Sequence, residues 1–215
     1  MIILFLTNNS NTLPLSNWLS YDYGNVVVTT GVKINFDILQ KLDGLRDLEM
    51  VKRPNDKICP DLIISYNYDH VIKQDVIDFM NGRIINLHIS LLPFNGGFDP
   101  NFWSFMENTP KGVSIHLVDS KVDTGDILYQ KELFFDEKTE TLGSSYKCLN
   151  NEIQQLFKDN WKEIKDFSAV PKAQIGSGTF HYKNETDKLR KELGQKIWDI
   201  PINKLRKYYE FGILE

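Results

Sequence analysis

An apolar stretch from Ile84 to Pro93 (IINLHISLLP) carries polar residues at alternate positions: Asn86, His88 and Ser90. On a strand, side chains two apart share a face, so these three point the same way. A central parallel strand is apolar on both faces, and an amide, an imidazole and a hydroxyl along one of them need a reason. They stand at the carboxyl end of the stretch, just before Pro93 and Gly96-Gly97. In open α/β sheets that is where ligands bind. The competing reading is a hydrogen-bonded strand end that only shapes the next turn. This stretch alone leaves the two readings level.

A second polar cluster lies in Gly112–Leu128 (GVSIHLVDSKVDTGDIL), where Asp119, Asp123 and Asp126 gather around Gly125. Asp and Gly are favoured in turns for backbone reasons, and by itself that accounts for the cluster. The D-x-x-x-D-x-x-D spacing lacks the ligand pattern of an EF-hand, so a Ca²⁺ loop is discounted.

The elements that must position these residues read as alternating strands and helices. Met1–Thr7 (MIILFLT) is a continuous apolar run suited to a buried parallel strand. A short helix is expected around Leu13, Leu15, Trp18 and Leu19, with Pro14 near its start. Further strands are expected at Val26–Thr29, Leu48–Val51, Asp61–Ser65 and Ile84–Ile89, with a helix over Val71–Phe79. This alternation predicts an α/β fold, a mostly parallel, Rossmann-like sheet with helices on its faces. Gly112–Asp119 alternates Val113, Ile115 and Leu117 against Ser114 and His116, and Asp126–Leu133 reads as its partner strand. Thr139–Ile164 reads as one long helix with an apolar stripe through Leu142, Tyr146, Leu149, Ile153, Leu156, Phe157, Trp161 and Ile164. Beyond Phe167 the character changes. Pro171–Lys183 is rich in Gly and polar residues and suggests a loop or hairpin, and Glu185–Leu193 and Ile202–Tyr209 suggest two short helices. A boundary near residue 165 is expected to divide a main domain, 1–165, from a C-terminal extension, 166–215.

The 215 residues suffice for one domain and a small appendage. A hydrophobic share of 41% and a charged share of 25% exclude a largely disordered chain, a coiled coil and a collagen-like fibre. Twenty-five basic against twenty-nine acidic residues leave a net charge of −4, a poor basis for sequence-independent nucleic-acid binding. The two cysteines, Cys59 and Cys148, make no CxxC and no disulfide framework; both read as structural, and no metal is expected. The N-terminus has a short apolar run and no basic leader, so neither a signal peptide nor a membrane span is expected and the cytoplasm is the expected location.

The two polar segments together are more specific than either alone. Asn86-x-His88-x-Ser90-Leu91-Leu92-Pro93, then Gly112-Val113-Ser114-Ile115-His116, then Asp123-x-Gly125-x-Ile127-Leu128 resemble the 10-formyltetrahydrofolate-dependent formyltransferases. The resemblance runs in order over roughly residues 1–160 and is dense from Ile84 to Gln130. It implies a formyltransferase fold whose catalytic residues are Asn86, His88 and Asp123. It also implies a folate loop at Tyr68, Asp69, His70, Val71 and Ile72, with Val118 and Asp119 beside the cofactor. In such enzymes the formyl group moves to an amine through a tetrahedral intermediate that carries an oxyanion. Asn86 would donate an N–H to that oxyanion, a contact typically worth ~3 kcal/mol. His88 would accept the amine's proton or hydrogen-bond the intermediate. Asp123 would fix the tautomer of His88, favour its charged form, or relay a proton through water. The resemblance needs neither a covalent intermediate nor a metal. His116 reads as a structural residue under the site, and the side chain of His70 as incidental to the folate loop.

The acceptors of the family differ in what they ask of the chain. The tRNA enzymes carry a further C-terminal domain and a basic linker, which the roughly fifty residues after the core do not match. The hydrolases carry a domain ahead of the core, and this chain begins at the first strand. Glycinamide ribonucleotide transformylases hold a phosphate on a Gly-rich loop after the first strand. Here that loop is Thr7-Asn8-Asn9-Ser10-Asn11-Thr12, without glycine, although Asn8 and Asn9 offer polar side chains. Phe94–Trp103 (FNGGFDPNFW) resembles the G-x-D-P-N-F-W form of sugar N-formyltransferases from lipopolysaccharide and related glycan pathways. There Phe94, Asn95, Gly96, Gly97, Asp99, Asn101 and Trp103, with Ser90, would meet the sugar. The plainer reading makes Asp99 the N-cap of a helix starting at Pro100, and both can hold. Gly176–Thr186 resembles the region after the core in the same enzymes, where His181 and Lys183 would approach a diphosphate or a dimer contact forms; a solvated hairpin competes evenly. The expected activity is transfer of a formyl group to the amine of a nucleotide-linked amino sugar, such as a dTDP- or GDP-4-amino-4,6-dideoxyhexose. The partners expected are that substrate and a second copy of the chain, with no nucleic acid and no membrane. The rivals are a glycinamide ribonucleotide transformylase and a non-catalytic folate- or nucleotide-sugar-binding protein.

Overall fold

The computed structural model describes residues 1–21, 25–31, 33–34 and 60–212. The strand expected at Leu48–Val51 and Cys59 lie outside the described residues. The chain gathers into two compact units, residues 1–87 with 117–121, and residues 88–116 with 122–215.

In the first unit, strands β1 (Ile2–Leu6), β2 (Val26–Thr30), β3 (Leu62–Tyr66) and β4 (Ile84–His88, the last residue excepted) run parallel in the order β2-β1-β3-β4. β1 and β3 hold the middle. Ile3, Phe5, Leu6, Leu62, Ile63 and Ile64 are wholly buried, which is why both strands read as unbroken apolar runs. Parallel neighbours need crossovers, supplied by α1 (Leu13–Tyr21) after β1 and α2 (Gln74–Met80) after β3. α2 begins three residues later than the apolar spacing predicts. Lys73 is still extended, Ile72 turns into the core and Val71 is 64% exposed in the loop. Leu4, Leu6, Ile63 and Ile84 from the strands pack against Ile72, Val76 and Met80, each aliphatic side chain contributing ~1.5–3 kcal/mol on burial. The carboxyl ends of β1, β2 and β3 are tied together by Asn8. Its N–H donates to the Asn67 carbonyl (3.0 Å), its Nδ2 to the Gly31 carbonyl (3.0 Å), and its Oδ1 accepts from the Asp69 N–H (3.1 Å).

The second unit holds β5 (Gly96–Gly97), α3 (Pro100–Met106), β6 (Lys111–Leu117, its last residue excepted), β7 (Ile127–Leu133), α4 (Leu142–Asp159), α5 (Trp161–Lys165), β8 (Phe180–His181), α6 (Asp187–Leu193) and α7 (Ile202–Phe211). β6 and β7 pair antiparallel, with a register shift between Ile115 and His116. The alternation along β6 separates two buried faces, an apolar one with Val113 and Ile115 and a polar one with Ser114 and His116.

Four expectations change here. The single helix over 139–164 is two helices, α4 and α5. Asn160 stands between them, its Nδ2 turned back onto the Leu156 carbonyl (2.7 Å), a side-chain bond that competes with the helix ladder. The apolar stripe survives the break, with the Phe157 and Trp161 rings 5.3 Å apart. Pro171–Lys183 is not a hairpin: Lys172 pairs with Ile127, and β8 pairs in parallel with β5. Residues 166–215 belong to the same compact unit as 88–116. Phe102, Phe105 and Met106 of α3 share a core with Leu142, Ile197, Ile202 and Leu205, so the C-terminal segment supplies much of this unit's interior. Asp99, the expected cap of α3, sits in the left-handed region (φ 54°), and its side chain makes no capping bond.

Candidate active site

β4 ends at His88, and the chain turns back through a cis Leu92–Pro93 bond to Asn95. His88 Nε2 lies 3.0 Å from the Asn95 carbonyl oxygen. A carbonyl only accepts, so Nε2 carries the proton. His88 Nδ1 lies 3.7 Å from Asp123 Oδ2, past hydrogen-bond length. Asp123 is 7% exposed and held at φ 57°. Its Oδ2 accepts from the Gly97 N–H (2.8 Å), and its Oδ1 lies 3.4 Å from His116 Nε2. Burial pushes the Asp123 carboxyl up. The charge of His88, the hydrogen bond and charge of His116 and the Gly97 N–H outweigh it, so the group stays well below the usual carboxylate range. The arrangement is an ionised carboxylate that faces two imidazoles, one of them with its second nitrogen anchored.

The loop between β4 and β5 is fixed by the polar face of β6. The Ser114 hydroxyl donates to the Ser90 carbonyl (2.7 Å) and accepts from the Leu92 N–H (3.1 Å). Its cross-strand partner Gln130 donates to the Leu92 carbonyl (2.7 Å) and to Ser114 (2.9 Å). Ser90 is buried, and its hydroxyl has no hydrogen-bond partner among the described residues. At Gly97, φ is 85° and a Cβ would stand 2.3 Å from the His181 carbonyl oxygen, so only glycine brings this N–H to Asp123.

Asn86, half-buried on β4, pairs in register with Ser65. In the loop expected to meet folate, Tyr68 Oη accepts from the Ile34 N–H (3.1 Å), the Tyr68 and His70 rings meet edge to face at 5.3 Å, and His70 lies 3.5 Å from Asp69. Ile72 is a core residue, Val118 packs against that core, and Asp119 accepts from the Lys121 N–H (3.1 Å) in a turn. Asn9 caps the short turn Ser10–Thr12, its Oδ1 accepting from the Asn11 N–H (2.9 Å). Phe94 is half-buried beside the loop.

The motif from Phe98 to Trp103 is bonded to the C-terminal segment. Asp99 accepts from Thr186 Oγ1 (2.7 Å) and pairs with Arg190. Asn101 donates to the Leu142 carbonyl (3.0 Å) and accepts from Ser145 (3.0 Å). The Trp103 ring stacks on His181 at 4.0 Å. His181 is buried, with Nδ1 2.9 Å from Glu185 and Nε2 3.2 Å from Glu107, the latter contact outside hydrogen-bond direction. Lys183 Nζ lies over the Phe98 ring at 5.7 Å. Three further residues stand around the His88–Asp123 pair. His116 is one, and its place in the G-V-S-I-H motif was the available signal. Gln174 and Thr179 are the others; Thr179 lies in Gly176–Thr186, which resembles the family's region after the core, whereas no motif marks Gln174. Among the described residues no group of three or more His, Cys, Asp or Glu is placed to hold a metal ion, and no helix is long and apolar enough to cross a membrane.

A model of the formyl transferase family matches residues 40–159, more than half of the chain. The chain belongs to the formyl transferase family. It is 26% identical over 192 residues, 89% of this chain and 78% of the relative, to the dTDP-4-amino-4,6-dideoxyglucose formyltransferase of Mycobacterium bovis. It is 30% identical over 144 residues to the methionyl-tRNA formyltransferase of Finegoldia magna, covering 61% of this chain and 46% of that one. The formyltransferase PseJ of Anoxybacillus kamchatkensis, solved with UDP-4,6-dideoxy-4-formamido-L-AltNAc and tetrahydrofolate, superposes with a TM-score of 0.76 at 32% identity, over 95% of this chain and 97% of that one. The fold is thus the Rossmann-like formyltransferase fold, and the chain is a folate-dependent formyl-transferring enzyme.

Proposed function

We propose that this formyltransferase acts on a 4-amino-4,6-dideoxyhexose linked to a pyrimidine nucleoside diphosphate, with Asn86, His88 and Asp123 as its catalytic residues. The substrate class is supported by the M. bovis relative, named for dTDP-4-amino-4,6-dideoxyglucose, and by PseJ, solved with the formylated sugar UDP-4,6-dideoxy-4-formamido-L-AltNAc. The observation that carries the catalytic roles is the anchored His88 beside the ionised Asp123. The folate loop fits a flat ligand, since it presents the apolar Val71 to solvent beside the Tyr68–His70 rings while Ile72 holds it to the core.

When bound, 10-formyltetrahydrofolate would supply the formyl carbon that the amine attacks; the bond from that carbon to N10 breaks, and N10 takes up the proton that the amine gives up. With Nε2 committed to Asn95, the basic atom of His88 is Nδ1. The gap of 3.7 Å to Asp123 leaves that lone pair outside a direct bond, and a proton arriving there faces a carboxylate at once. Asp123 stays ionised throughout, because His88, His116 and the Gly97 N–H all favour its charge. Asn86 offers an amide N–H to the oxygen that gains charge. A homodimer would cover exposed apolar side chains such as Phe134, Ile175, Tyr182 and Phe211, and light scattering measures it.

The test mixes the protein with 10-formyltetrahydrofolate and, in separate reactions, UDP-, dTDP- and GDP-linked 4-amino-4,6-dideoxyhexoses and glycinamide ribonucleotide. Mass spectrometry then looks for a product heavier by one carbonyl group. A formylated UDP- or dTDP-sugar is expected. Formylation of glycinamide ribonucleotide alone, or of none of the four, overturns the assignment of the acceptor.

A further inference from the structure

We propose that Gln174 and Thr179 are positioning residues: the C-terminal strap from Lys172 to His181 clasps both halves of the His88–Asp123 pair. The proposal rests on the catalytic roles given above to that pair. Each half is reached by a separate set of bonds.

On the His88 side the contact is the Asn95 carbonyl, and a carbonyl points only as its residue is held. Asn95 is wholly buried at φ 56°, a region that costs a non-glycine residue energy unless its surroundings enforce it. Thr179 enforces it. Its hydroxyl accepts from the Asn95 N–H (2.8 Å) and donates to Asn95 Oδ1 (2.9 Å), gripping main chain and side chain together. Asn95 Nδ2 is satisfied by Thr109 Oγ1 (2.8 Å), and the next N–H, of Gly96, donates to the Thr179 carbonyl (2.9 Å). The Thr179 hydroxyl, 84 residues further along the chain, therefore holds the main chain that carries the acceptor fixing the His88 tautomer, while Thr109 shares the Asn95 side chain.

On the Asp123 side the contact is main chain. Gln174 Nε2 donates to the carbonyls of Asp123 (2.9 Å) and Gly125 (2.8 Å), closing the turn that holds Asp123 at φ 57°. Between the two grips the strap lies against the active-site loop: a Cβ on Gly178 would stand 2.0 Å from the Pro93 carbonyl oxygen, so glycine lets the strap approach. Lys172 ties the strap's start to Ile127 (2.8 Å each way), and β8 ties its end to β5. The polar, Gly-rich composition of 171–183 is explained on this account. Its hydrogen-bonding groups are spent on the loops that carry the chemistry.

Such supporting contacts act through geometry, and their loss commonly lowers turnover by about 10–100-fold without changing the groups that react. The test compares Thr179→Val, Thr179→Ser, Gln174→Glu and His88→Asn with the parent protein, following kcat, KM for both substrates, and the His88 Nε2–H signal in the proton spectrum of protein with ¹⁵N-labelled histidine. Thr179→Val, which keeps shape and loses only the hydroxyl, is expected to lower kcat about tenfold with KM within about twofold, and to shift or broaden the Nε2–H signal. Thr179→Ser restores both. Gln174→Glu, which sets a carboxylate against two carbonyls, lowers kcat further. A Thr179→Val protein with parental kcat and an unchanged His88 signal overturns the inference, even if its melting temperature falls. If His88→Asn itself retains parental turnover, the catalytic reading fails instead, and the ring signal still reports whether Thr179 holds His88.

Discussion

Two buried histidines of the second unit invite comparison, since each faces carboxylate and each lies next to a motif with a functional look. His181 has a carboxylate within 3.2 Å of both ring nitrogens and a Trp103 face stacked at 4.0 Å. His88 has one nitrogen on a main-chain carbonyl at 3.0 Å and the other 3.7 Å from its carboxylate. Exposure does not separate them, because both side chains are 8% exposed. What separates them is the carboxylate that the second, unbonded nitrogen faces: Glu107 beside His181 Nε2 is 32% exposed, whereas Asp123 beside His88 Nδ1 is 7% exposed and held by the Gly97 N–H. His181 bonds Glu185 through Nδ1 and stacks on Trp103, and so fastens β8 to α3 and the turn at Glu185. His88 is anchored through one atom and uncommitted at the other, which is the geometry a proton acceptor needs.

The largest effect that breaks this comparison is at His88. His88→Ala is expected to lower kcat about 10³-fold with an unchanged circular dichroism spectrum. Turnover near that of the parent would place both histidines in the structural class. Asp123→Asn keeps the shape and removes the charge, and a fall in kcat of about 10²-fold or more is expected. Asn86→Ala is expected to cost about 10²-fold in kcat with little change in KM, the mark of a donor that acts on charge developing in the transition state.

How much of this was readable in advance follows from what each region is made of. The first unit is legible because its strands are covered on both faces: Ile2–Leu6 and Leu62–Tyr66 must be apolar throughout, and period and length give them away. The catalytic candidates were legible because polar residues on such a strand contradict its burial. Asp123 was readable only as part of a three-segment pattern, since Asp beside Gly is ordinary turn chemistry. Asp99 and Trp103 misled in opposite ways. The first stands where a cap belongs, yet bonds to Arg190, 91 residues on. The second offers a flat face that His181 already covers. Partners so distant leave no local signature: Gly176–Thr186 resembles a family segment, yet nothing in it ties Thr179 to Asn95, and Gln174 is invisible for the same reason. The break at Asn160 escaped because the apolar stripe continues across it.

Smaller effects sharpen the structural half of the comparison. Glu107→Gln keeps the size of the side chain and removes one of the two charges on His181. It is expected to cost about 1 kcal/mol, seen as a melting temperature lower by about 2–4 °C, with kcat within about twofold of the parent. A tenfold loss of kcat without a change in melting temperature would move His181 toward the chemistry.

The smallest effect is at Glu185, and it is read against pH. The hydrogen bond from His181 holds the Glu185 carboxyl below its ordinary 4.5, helped by the Tyr182 N–H. A carboxyl depressed in the folded state stabilises in full above its unfolded value, and that stabilisation is lost as pH falls through the lower folded value. Glu185→Gln removes the titrating group. Its melting temperature is therefore expected to lie below the parent's by a constant margin above about pH 4.5, and the margin closes as the pH drops further. A margin that stays constant into strong acid would mean that Glu185 gains nothing from His181, and that Glu107 and the Trp103 face alone hold the buried ring.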